Sequence, residues 1–141
     1  MKKSRLKFGM GVAAILLCVE SAQAQAPAPQ ATPKKSGGDL ITKDLLAAPG
    51  KEVVMTAVEY APGGSSPPHR HNSQVFVYVL EGHVKMQVQG GPLLTLGPGE
   101  TFYESPTDIH TISANASTTE KARFLAIVIK DKDKPITTRV K

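Results

Sequence analysis

From residue 52 onward the chain alternates between two kinds of segment. Short runs of β-branched and apolar residues are separated by clusters of Gly and Pro. Residues 52–60 form the first clear run, closed by Pro62-Gly63-Gly64. Residues 74–80 follow and turn at Glu81-Gly82, and residues 84–88 turn at Gly90-Gly91-Pro92. Residues 93–96 end at Gly97-Pro98-Gly99, and residues 101–104 lead into a turn at Pro106. Residues 110–113 and 123–130 complete the set. Residues 39–46 are ambiguous, with strand character before a turn at Pro49-Gly50. No stretch sustains the 3.6-residue period of an amphipathic helix, whereas period-two runs between turn residues predict strands. The pattern predicts an all-β, single-domain fold of seven or eight short strands. A jelly-roll β-barrel is the arrangement that hides strand edges at this size. In 74–80 the second face is also apolar, which suggests a homodimer.

The first residues change the picture of where the protein works. Lys2, Lys3, Arg5 and Lys7 precede an apolar run from residue 8 to 19, which is short for a membrane span. Ala22-Gln23-Ala24 then fits a small-x-small cleavage box. Residues 1–24 therefore read as a signal peptide, and the protein as periplasmic or secreted, with no membrane attachment after cleavage. Residues 25–38, rich in Ala, Pro, Gln, Lys and Gly, read as a flexible linker. Residues 39–141 remain as the folded domain. Cys18 is the only cysteine, so the mature chain has no disulfide and no thiolate chemistry. The formal charge of +5 falls to +2 once the signal is removed, because 13 basic and 11 acidic residues remain. That balance, without a basic stripe and interleaved aromatics, excludes nucleic acid as an expected partner.

The chemistry concentrates in three of the four histidines. His69 and His71 lie two apart in Ser65-Ser66-Pro67-Pro68-His69-Arg70-His71, and His110 follows the run 101–104. On a strand, residues i and i+2 share a face. Two imidazoles on one face, joined by a third from a neighbouring strand, can hold one metal ion. His83 follows a turn and is expected at the surface. Tyr60, Phe76, Tyr78, Met86, Phe102 and Phe124 are expected to divide between core and pocket wall.

These residues resemble the two motifs of the cupin superfamily. In the first motif, Gly63 is followed after five residues by His69-Arg70-His71, after three more by Val75, and after six more by Gly82. With Pro67-Pro68 it is close to the germin-like version. In the second, Gly99, Ser105, Thr107 and His110 hold the expected spacing, with Ser105 replacing Pro and Thr107 replacing Gly. Asn115 comes one position late. The resemblance covers residues 53–129 and implies a cupin barrel with a metal on His69, His71 and His110. The family's glutamate ligand maps to Val75, which cannot bind a metal. Gln74 is adjacent and reaches the site only through a bulge; it is carried as the fourth candidate ligand.

Imidazole ligands suit a divalent ion of Fe, Zn, Mn, Ni or Cu, and the resemblance to three-histidine thiol and diketone dioxygenases favours iron. Glu104, near the second motif, is the candidate catalytic base. The expected function is metal-dependent chemistry on a small-molecule substrate, with dioxygenase the best single assignment. A non-catalytic metal-dependent binding module is the alternative.

Overall fold

A computed structural model describes residues 34–140, with side chains from residue 39. The signal peptide and its cleavage box lie outside the described residues. Eleven strands occur among those described. They are β1 (Lys34–Asp44), β2 (Lys51–Tyr60), β3 (Ser65–Ser66), β4 (His69–Arg70), β5 (Gln74–Glu81) and β6 (Val84–Val88). They continue with β7 (Leu94–Leu96), β8 (Thr101–Glu104), β9 (His110–Asn115), β10 (Ala122–Asp131) and β11 (Thr138–Arg139). The seven runs of the sequence pattern are all strands. The added ones are β1, which begins inside the segment expected to be a linker, and the two-residue strands β3, β4 and β11. Two residues are too few to show a period, which is why the pattern misses them.

The strands form two antiparallel sheets. One has the order β1-β2-β10-β5-β8; the other has β11-β4-β9-β6-β7, with β3 also on β9. The sheets are not closed into a barrel, which corrects that part of the expected fold. β8 pairs with β5 and β7 with β6, and these strands end their sheets.

Alternation sets which face each strand buries. On β10, Ala122, Phe124, Ala126, Val128 and Lys130 point inward. On β5, Val75, Val77 and Val79 do so, while Gln74, Phe76, Tyr78 and Leu80 lie outside and are exposed. The opposite sheet contributes Val84, Met86 and Leu96, and the inward sets meet in one core with Tyr60. Burial of these side chains, at about 1.5–3 kcal/mol each for the larger ones, drives the packing. The β5–β6 turn depends on Gly82. Its φ is +68°, and an added Cβ would lie 2.4 Å from the carbonyl oxygen of Lys121.

One end of the interior is plugged by charge. Lys130 is buried and donates to the carboxylate of Glu52, its partner across the β2–β10 ladder, and to the carbonyl of Asp131 at 2.9 Å. A buried ammonium needs such a partner, since an unpaired one is costly.

Candidate metal centre

Four side chains converge between the sheets. His69 comes from β4, His110 from β9, Glu104 from β8, and His71 from the turn after β4. One potential ligand atom from each lies within 4.8 Å of those of the others. The ladders explain the convergence. His69 is the cross-strand partner of His110, so both face the same way. Glu104 is the cross-strand partner of Val75 on β5, and both point inward from the opposite sheet. Asn72, with φ +51°, turns the chain out of the histidine segment and into β5; Asn tolerates that left-handed backbone better than most residues.

The two nearest histidines are held in one tautomer. His69 Nδ1 donates to the carbonyl of Pro67 at 2.8 Å, and His71 Nδ1 donates to the carbonyl of Ile136 at 2.7 Å. A neutral imidazole has one N–H, and here both are spent on carbonyls. The Nε2 atoms, which face each other at 3.1 Å, therefore both carry lone pairs. Two lone pairs at that distance repel unless a cation lies against them. Burial also lowers the pKa of His69 below its ordinary 6.5, which disfavours a proton as that cation. His110 adds to the case. It is buried, and neither ring nitrogen has a hydrogen-bond partner. Its Nδ1 is 3.1 Å from Glu104 Oε2, a distance of ion contact without hydrogen-bond alignment. Phe102 stacks on its ring, with centroids 5.6 Å apart. Glu104 itself is 3% exposed, with Oε2 also 3.8 Å from His71 Nε2. A buried carboxylate beside three imidazoles is a donor set that fits a divalent ion.

His69, His71 and His110 thus meet as expected. Gln74 does not join them. It lies at the start of β5 on the exposed outer face, while Val75 takes the inward place. No bulge interrupts β5 against β8 to re-aim it, so its candidacy as a ligand is corrected. Glu104 lies within the cluster, its carboxylate beside His71 and His110. The carboxylate absent at Val75 is supplied one strand over, from Val75's own ladder partner. His83 is exposed as expected.

A cavity of about 390 Å³ opens onto the cluster. Val58, Val77, Met86, Phe124 and Ala126 form apolar wall. The Tyr60 hydroxyl, hydrogen-bonded to Ser113 at 2.7 Å and Ser66 at 2.8 Å, forms a polar part of the wall. Burial raises the Tyr60 pKa, so it remains a phenol at neutral pH. The last side of the cavity is Ile136, Thr137 and Arg139, from the C-terminal segment. The sequence pattern had not singled these out: the segment is short and polar, and nothing local links it to the histidines. Asn115, one position late for the second motif, is buried. Its amide ties the carbonyls of Ala61 and Glu120, at 3.0 and 2.7 Å, so it braces loops and does not touch the cluster.

A family model described as "Cupin domain" matches residues 56–128, just over half of the chain. No curated protein matches the chain. Among solved structures, an uncharacterised conserved protein with a double-stranded β-helix domain from Klebsiella pneumoniae is similar at 17% identity. That match covers 82% of this chain and 90% of the other, with a TM-score of 0.61. The polyketide cyclase RemF from Streptomyces resistomycificus is similar at 29% identity over 63% of this chain and 61% of the cyclase, with a TM-score of 0.53. An oxalate oxidase in complex with the substrate analogue glycolate is similar at 26% identity over 62% of this chain, with a TM-score of 0.52. The match spans 46% of that oxidase and 61% of the cyclase, less than two thirds of either.

Proposed function

We propose that this chain, which belongs to the cupin family, is a metal-dependent enzyme acting on a small organic molecule by oxidation with dioxygen. The observation that carries the metal is the pair of Nε2 lone pairs at 3.1 Å, each fixed by an Nδ1–H donated to a carbonyl. His69, His71, Glu104 and His110 would hold the ion. A divalent metal held there, with iron favoured, would supply Lewis-acid and dioxygen chemistry to a bound substrate.

The chain's own residues supply the rest. The carbonyls of Pro67 and Ile136 keep both tautomers correct, the usual way a protein orients such ligands. Val75 and Phe102 keep water from the sides of the cluster. The apolar wall at Val58, Val77, Met86 and Phe124 holds a substrate body near the ligands, which lowers the cost of bringing reactants together. With Glu104 among the ligands, Tyr60 supplies a phenolic hydroxyl to the cavity wall. The polyketide cyclase and the oxalate oxidase act on small molecules, as their names state, which agrees with a cavity of this size.

The site of action is the periplasm or cell exterior, on the strength of the leader at residues 1–24. The exposed outer strip of Phe76, Tyr78, Leu80 and Tyr103 supports a homodimer.

The test is reconstitution with ferrous iron, followed by oxygen uptake with a panel of small diketones, thiols, phenols and carboxylates. Uptake with at least one, lost in His71→Ala, supports the reading. Tight stoichiometric metal binding with no uptake would replace the enzyme by a binding module.

A further inference from the structure

The C-terminal segment folds back onto the strand that carries the metal-site histidine. β11 pairs with β4, Thr138 opposite Arg70 and Arg139 opposite His69. The Val140 N–H donates to the Pro68 carbonyl at 3.3 Å, and the Ile136 carbonyl receives His71. Directly paired residues of an antiparallel ladder project to the same face. His69 faces the cavity, so Arg139 lies on that side too, exposed to solvent at the rim of the cavity it lines. Among the described residues no carboxylate forms an ion pair with Arg139.

Charge then restricts what fits. The lining holds one carboxylate, Glu104, and one guanidinium, Arg139. With a divalent ion bound and neutral imidazoles, the cavity carries an excess of two positive charges. Even without the ion, the guanidinium at the mouth has no partner. The walls beyond it are apolar. A ligand that complements this has an anionic head and an apolar body.

We propose that the cavity takes a small monocarboxylate with an apolar body, and that Arg139 is the specificity-determining residue that selects its charge. Arg139 acts in the site proposed above, so the assignment rests on that reading for the site but not for the metal. A guanidinium offers a carboxylate two parallel N–H donors, a geometry that neither a neutral amide nor water matches as well. Thr138, on the other face of β11, has no part in it.

The test is calorimetric titration of the full chain with benzoate and with benzamide, which share shape and differ in charge. Each is run on zinc-loaded and on metal-free protein, with zinc stoichiometry measured in parallel. The wild type should bind benzoate roughly tenfold to a hundredfold more tightly than benzamide. Arg139→Gln should lose most of that preference with zinc stoichiometry unchanged, Arg139→Lys should keep part of it, and Thr138→Ala all of it. The proposal is overturned if the wild type binds the two alike, if it binds neither, or if Arg139→Gln prefers benzoate as the wild type does. Should zinc fail to bind while the metal-free wild type still prefers benzoate through Arg139, the metal reading fails and the role of Arg139 stands. Should zinc bind while the Arg139 variant keeps the full preference, the reverse holds.

Discussion

Moving the carboxylate between ladder partners tests the centre most directly. Glu104 and Val75 face each other across β5 and β8, both buried, at 3% and 1% exposure. Glu104→Gln keeps the shape and removes the charge. Loss of a residue that merely supports a ligand weakens metal binding by about 10–100-fold, so loss of a charged ligand should cost about 100-fold or more. At a free metal concentration 100 times the wild-type Kd, binding stabilises the folded wild type by about 2.7 kcal/mol. The same concentration then only half-saturates the variant and stabilises it by about 0.4 kcal/mol. For a domain near 100 residues, about 4 °C of Tm accompanies each kcal/mol. Metal should therefore raise the wild-type Tm by about 11 °C and that of Glu104→Gln by about 2 °C. Val75→Glu alone places two carboxylates on adjacent inward positions, and without metal it should destabilise by about 2–5 kcal/mol. The double exchange Val75→Glu with Glu104→Val should recover metal affinity to within about tenfold of the wild type, since either strand delivers the carboxylate to the same cavity. Thermal melts with and without metal, with titrations for Kd, provide the readout. A Glu104→Gln protein with wild-type affinity would refute the ligand assignment. A double variant as weak as Glu104→Gln would refute the claim that position 75 addresses the same ion.

Two further outcomes follow from the structure and a third from the sequence. Burial lowers the His69 pKa, so between its folded value and the ordinary 6.5 the unfolded chain binds more protons than the folded one. The stability this group contributes is present above about pH 6.5 and is lost as pH falls; denaturant midpoints of the metal-free chain at pH 7.5 and 5.5 should show the lower value at 5.5, and the opposite order would contradict the burial of His69. Gly82→Ala meets a carbonyl oxygen at 2.4 Å in a left-handed backbone, and should destabilise by about 2 kcal/mol or more by chemical denaturation, more than Gly90→Ala, which carries positive-φ strain but meets no atom within 4 Å. If residues 1–24 are a cleaved leader, mass spectrometry of the native protein should find Gln25 as the first residue, and an intact Met1 would end the proposal of the periplasm.

The strands and their inward faces were legible because alternation and turn residues are local. Val75, Val77 and Val79 declare a buried face by their spacing, and each Gly/Pro cluster marks where a strand must stop. The histidines were legible for a similar reason, since the His69-Arg70-His71 spacing sets two imidazoles on one side of an extended chain. The sequence also placed Glu104 near the chemistry, but not its role. That role follows from the β5–β8 register, which sets Glu104 against Val75 and leaves Gln74 outside; register is a property of two strands together, and no single run encodes it. The failure of the two sheets to close was equally beyond a local pattern, because closure depends on how edge strands such as β7 and β8 lie in space. The C-terminal contribution was the least visible. Ile136 orients His71 through a backbone carbonyl, which every residue type has, and Arg139 enters the cavity only because β11 pairs with β4. Periodicity and motif spacing report side-chain chemistry along one strand, whereas the tautomer, the carboxylate beside the histidines and the cavity's charge are set by contacts between segments far apart in the chain.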